Sequence, residues 1–160
     1  ASDKKVEIVL PVDVVISKTL DATSPIAIVD ADKIPVGEKG LDIGPKTIEL
    51  FSAKLKDAKT IVWNGPMGVF EVKEFANGTK EIAQNLSQST GYTVVGGGDS
   101  AAAIRLLGID ESKFDHISTG GGANVIDASY NPLSVNEDYF FPQTAEGRGS
   151  KVEKIGRAHV

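Results

Sequence analysis

Cysteine is missing from all 160 residues, which removes both a disulfide framework and a thiolate zinc site and makes the cytosol the default expectation. Excess positive charge is missing too. The chain sets 17 Lys and Arg against 22 Asp and Glu, for a formal charge of -5, and has no basic arm, so it offers no electrostatic footprint for nucleic acid. Long apolar runs are absent: the stretch over residues 6–12 is broken by Glu7 and is far too short to span a membrane. No signal-peptide pattern opens the chain. Only two histidines occur, His116 and His159, and neither has a Cys or carboxylate at metal-ligand spacing, so no metal role falls to them. What remains is enough for one domain, or a large piece of one, burying roughly two thirds of its unfolded surface.

Taken in order, residues 6–16 are β-branched and apolar at nearly every position, which predicts a strand buried on both faces, with Pro11 marking its end or an edge. The chain enters this strand almost at once after Lys4 and Lys5, which reads as a cut and not a natural start. Residues 17–36 are more polar and punctuated by Pro25, Pro35 and Gly37, with a brief strand at 26–29, and predict a small antiparallel excursion. Pro45 then suits the first position of a helix whose apolar face is Ile48, Phe51 and Leu55. A strand over 60–63 exits into Asn64-Gly-Pro-Met-Gly68, and a helix follows with Phe75, Thr79, Ile82, Ala83 and Leu86 on one face. A strand over 92–95, a helix over 101–107 closed by Gly108, and a short strand over 116–118 complete the pattern.

The organising stretch is Val94-Val-Gly-Gly-Gly-Asp-Ser100. Glycines let a backbone approach a ligand closely, and a helix starting at Ser100 or Ala101 would aim its unpaired amides and positive dipole end at whatever lies over them. That suits an anion, most simply a phosphate. A carboxylate at Asp99 would repel a bare phosphate, and a divalent cation between them, Mg2+ by preference, removes the conflict. The working expectation is a Mg-nucleotide site.

The same grammar of short apolar strand, glycine-rich exit and amphipathic helix occurs three times. It predicts an α/β, Rossmann-like, three-layer parallel sheet with helices on both faces, in which the exits at 64–68, 96–100 and 119–122 share one edge. Each motif also has a plainer reading. Glycine at a strand-to-helix corner serves a tight turn, and Asn64-Gly-Pro-Met-Gly68 can be a β-turn positioned by Pro66. Glu71 reads first as a solvated acid at a helix start, and Asp42 as a helix cap; for Asp99 the metal role is favoured by the three glycines before it.

At these residues the chain resembles the C-terminal, nucleotide-binding half of the phosphoglycerate kinase family. The matching segments are Val6-Glu-Ile-Val-Leu-Pro-Val-Asp13, Gly40-Leu-Asp-Ile-Gly-Pro45, Thr60-Ile-Val-Trp-Asn-Gly-Pro-Met-Gly-Val-Phe-Glu71, Phe75-Ala-Asn-Gly-Thr79, Gly96-Gly-Gly-Asp-Ser100 and His116-Ile-Ser-Thr-Gly-Gly-Gly-Ala123, in family order across residues 3–123. The resemblance implies reversible phosphoryl transfer between ATP and 3-phosphoglycerate, giving ADP and 1,3-bisphosphoglycerate, in a monomeric, cytoplasmic, two-domain enzyme that closes on a hinge. It assigns Gly40 and Glu71 to the adenosine end, with Glu71 on the ribose. Asn64 and Pro66 line the same pocket. Gly97, Gly98, Asp99 and Ser100 hold the phosphates, with Mg2+ reached through Asp99, and Gly120 and Gly121 stabilise the phosphoryl group in flight.

The family pattern also has parts without a counterpart here: the N-terminal domain that takes 3-phosphoglycerate, and the Gly-Gly-Ala-Lys-Val loop with its phosphate-binding lysine. The expectation is a partial nucleotide-binding domain over 1–123, an incomplete fold, and no kinase activity from this chain alone. A non-catalytic Mg-nucleotide-binding module is the alternative, and a chain whose open sheet edges leave it unstable is a third reading. Residues 124–160 follow no family pattern and read as turn-rich or poorly ordered. Ile155-Gly-Arg-Ala-His-Val160 matches the translation of a sequencing-adapter string, ATCGGAAGAGCACACGTC, so residues 155–160 are expected to be adapter-derived; a divergent natural tail is the other reading.

Overall fold

The computed structural model describes residues 6–119. Two three-stranded sheets share these residues. The first is antiparallel, with β1 (Asp13–Ser17) between β2 (Ala27–Asp30) and β3 (Lys39–Ile43). The second is parallel, in the order β4 (Thr60–Asn64), β5 (Tyr92–Gly96), β6 (His116–Ser118). Helix α1 (Pro45–Leu55) links the two sheets, α2 (Asn77–Ser87) joins β4 to β5, and α3 (Gly98–Leu106) joins β5 to β6. Parallel neighbours need such crossovers, because a hairpin turn cannot return the chain to the same end of the sheet. The result is an incomplete Rossmann-like α/β fold.

Consecutive residues of β4 and β5 are buried: Ile61, Val62 and Trp63 on one strand, Val94 and Val95 on the other. Successive strand side chains point to opposite faces, so both faces of this sheet are covered. Ile61, Trp63 and Val95 meet Ile82 and Leu86 of α2 and Ile104 of α3 in the main core. Burying a side chain of this size contributes about 1.5–3 kcal/mol, so the helices are held by their apolar stripe. Phe75, expected in α2, lies instead in a 3-10 turn over Lys73–Phe75 that precedes it. Among the described residues, no helix is long and apolar enough to cross a membrane.

Two expectations are corrected. The strand expected over 6–16 is confined to Asp13–Ser17, and it lies in the antiparallel sheet. Ile8 and Leu10 are 67% and 69% exposed, so residues 6–12 are not a strand buried on both faces. Pro11, which has no N–H to give to a ladder, therefore sits ahead of the strand and not at its end. Helix α3 begins at Gly98, two or three residues before the expected start at Ser100 or Ala101, because Gly97 takes φ 91° and turns the chain straight into it.

Candidate functional site

The parallel register brings the ends of β4, β5 and β6 together. Asn64 at the end of β4 pairs with Gly96 at the end of β5, and Gly96 pairs with Ser118 at the end of β6. Side contacts then lock the exits. The Gly97 amide donates to the Ser118 carbonyl at 3.0 Å, and the Gly65 amide donates to Ser100 Oγ at 2.7 Å. A Cβ on Gly97 would lie 2.8 Å from Asn64 Oδ1, so only glycine lets these two exits approach so closely.

The three helix starts are treated differently. At α1, Asp13 reaches across from β1: Oδ2 accepts from the Lys46 amide at 3.1 Å and Oδ1 from the Thr47 amide at 2.8 Å. At α2, Asp42 reaches across from β3 and its Oδ2 accepts from the Gly78 amide at 2.7 Å. The lowered Asp13 carboxylate complements the positive end of a helix dipole, and the buried Asp42 carboxyl acts as a hydrogen-bond acceptor at the other helix start. At α3 the N-cap residue is Gly97, and among the described residues no side chain takes up the amides of Gly98, Asp99 or Ser100. Gly98 and Asp99 are exposed there. Among the described residues, the helix start beside the β4 and β5 exits is thus the one left open.

The electrostatics of the two buried aspartates differ in sign. Burial pushes Asp42 up to about 7 against the pull of its bonds from the Gly78 and Ile43 amides. Burial also raises Asp13, but bonds from the Thr47 hydroxyl and the Thr47 and Lys46 amides, with the nearby Lys46 charge, outweigh it and hold the carboxyl below its ordinary value.

Of the residues expected at the site, Asn64, Gly97, Gly98, Asp99 and Ser100 stand together at the exits of β4 and β5. Ser100 is fully buried, with its hydroxyl turned to Gly65. Pro66 is also buried. Gly40 lies on β3 opposite Ile16, beside a bulge at Leu41. The Leu41 carbonyl accepts from the Val69 amide at 2.9 Å, which ties β3 to the loop that leads to exposed Glu71. Gly120, Gly121 and the whole of 124–160 lie outside the described residues. Sequence reasoning missed Asp13, Thr47 and Thr79, whose partners are 11 or more residues away in the chain. It did read Asp42 as a cap, although the helix capped is α2 and not the one that follows Asp42.

An α/β fold with glycine exits along one strand edge defines a class of ligand-binding protein built at the carboxyl ends of parallel strands. Within that class, the sequence model of the phosphoglycerate kinase family matches residues 1–126. The chain belongs to the phosphoglycerate kinase family. It is 55% identical over 131 residues to the phosphoglycerate kinase of Streptomyces avermitilis, across 78% of this chain and 32% of that protein. It is 57% identical over 118 residues to that of Frankia casuarinae, across 74% of this chain and 30% of the relative. A solved phosphoglycerate kinase structure from Coxiella burnetii superposes with a TM-score of 0.71 at 37% identity, covering 75% of this chain and 31% of the other. The chain spans about a third of the length of these relatives.

Proposed function

We propose that this chain is the nucleotide-holding part of a phosphoglycerate kinase, which in the complete protein reversibly transfers a phosphoryl group between ATP and 3-phosphoglycerate. The observation that carries the reading is the open start of α3 at the crevice, with bare amides and the exposed carboxylate of Asp99 in one turn. Gly97, Gly98 and Ser100 surround the place for the nucleotide phosphates. Asn64 and Pro66 belong to the adjoining wall, and Gly40 and Glu71 to the adenosine end. Gly120 and Gly121 are assigned, on family resemblance, to the phosphoryl group in transfer.

A Mg2+ ion fits this donor set: Asp99 is a solvent-facing oxygen ligand beside the phosphate position, and Mg2+ prefers one or two carboxylates with phosphate oxygens and water. When bound, the ion neutralises phosphate charge. The chain itself supplies orientation and N–H groups, which suits phosphoryl transfer, where positioning and electrostatics carry most of the rate. The partners are ATP or ADP, and 3-phosphoglycerate through the rest of the protein, in a monomeric cytoplasmic enzyme.

The test is a coupled assay with ATP, Mg2+ and 3-phosphoglycerate. Full-length protein carrying this sequence is expected to turn over, and the 160-residue chain by itself is not. No turnover by the full-length protein contradicts the assignment of the family activity; turnover by the chain alone contradicts its role as a part.

A further inference from the structure

We propose that Asp42 is a positioning residue for the crevice: its carboxylate fixes the amino end of α2, and α2 in turn holds the loop that leaves β4. Asp42 is 4% exposed, with Oδ2 accepting from the Gly78 amide at 2.7 Å and Oδ1 from the Ile43 amide at 2.9 Å. The next residue of α2, Thr79, is fully buried, and its Oγ1 accepts from the Met67 amide at 3.0 Å and the Gly68 amide at 3.2 Å. These bonds form a relay from β3 through the first turn of α2 to the loop.

The junction has no slack. A Cβ on Gly68 would lie 2.5 Å from Asp42 Oδ1 and 2.6 Å from the Leu41 carbonyl, and one on Gly78 would overlap Asp42 Oδ1 and Ile43 Cγ1. The carboxylate therefore touches both ends of the relay, and a shift of the group moves helix and loop together. The loop carries Asn64 at one end and Glu71 at the other, so the relay sets the wall on which the nucleotide reading depends; the inference rests on that reading for its consequence, though not for its geometry.

Amide hydrogen exchange on this chain tests it. With Asp42→Asn, one amide loses its acceptor, and exchange at Gly78, Met67 and Gly68 is expected to speed up about tenfold, while the Gly97 amide is unchanged. Thr79→Val should release Met67 and Gly68 and leave Gly78 protected, and Thr79→Ser should restore them. Unchanged exchange at Met67 and Gly68 in Asp42→Asn, or acceleration shared equally with Gly97, overturns the proposal. If Asp42→Asn does not fold, Thr79→Val decides: Gly78 opening with the loop, or neither opening, overturns it. Mg-ADP is expected to bind Asp42→Asn more weakly than the unsubstituted chain. Failure of the unsubstituted chain to bind Mg-ADP overturns the nucleotide reading alone, since the exchange measurement needs no ligand.

Discussion

Ser100 Oγ accepts the Gly65 amide proton at 2.7 Å, so a side chain in the first turn of α3 fixes the backbone that leaves β4. Ser100 is fully buried and Gly65 half-buried, so the bond is partly shielded from water. Ser100→Ala leaves that amide without its acceptor and is expected to cost about 1–3 kcal/mol of stability. Urea denaturation of the two chains in the absence of nucleotide measures it. Equal midpoints would mean that the hydroxyl does not join the two exits.

Asp42 and Asp13 give opposite pH dependences. Asp42 has its pKa raised from 3.8 to about 7, so the folded chain retains a proton that the unfolded chain has lost over that interval. Its contribution is full below 3.8 and is lost as pH rises through about 7, a change on the order of 4 kcal/mol. Asp13 is lowered, so its contribution is present above 3.8 and lost as pH falls through the folded value. Taken alone, the two groups place the stability maximum near pH 3.8. Asp42→Asn should flatten the descending limb and leave the acid limb, as read from thermal midpoints at a series of pH values. A variant with an unchanged descending limb would remove Asp42 as its source.

Two glycine substitutions separate close packing from backbone conformation. Gly68→Ala drives a methyl group into Asp42 and the Leu41 carbonyl and is expected to cost more than about 3 kcal/mol. Gly37→Ala meets nothing within 4 Å, and its φ of +88° alone costs about 1–2 kcal/mol. Equilibrium unfolding ranks the two. The reverse order would contradict the junction described around Asp42.

Asp99 is exposed in the first turn of α3, where its loss should cost at most about 1 kcal/mol of stability through the helix dipole. Asp99→Ala should nevertheless remove the dependence of ADP affinity on Mg2+. Calorimetric titration with ADP, in Mg2+ and in EDTA, gives the comparison. Retention of the wild-type metal dependence would remove Asp99 as a ligand.

Much of the parallel half was legible because its signals are local. Thr60-Ile-Val-Trp63 and Tyr92-Thr-Val-Val95 are compact apolar runs that stop at glycine, and Ile82 and Leu86 repeat at helical spacing. The amino-terminal strand was misplaced for a related reason. Residues 6–16 are apolar at nearly every position, and composition cannot show that Pro11 lies before the strand or that β1 finds its partners in β2 and β3. The caps at α1 and α2 were partly hidden. Asp13 lies 34 residues from Thr47, and Asp42 lies 36 residues from Gly78, separations that only the folded chain closes. The exits of β4 and β5, by contrast, were legible in the sequence, because parallel strands in one α/β pattern end along one edge, as Asn64 and Gly96 do; the glycines expected at 120–122 lie outside the described residues.

The central claim is that the uncapped start of α3, at the meeting of these exits, holds the phosphates of a Mg-nucleotide. Amide chemical shifts recorded while Mg-ADP is titrated into the isotope-labelled chain test it most directly. The account predicts saturable shifts concentrated at Gly65, Gly97, Gly98, Asp99 and Ser100, with little change at the capped starts of α1 and α2. An absence of shifts at α3, or equal shifts at all three helix starts, would contradict it.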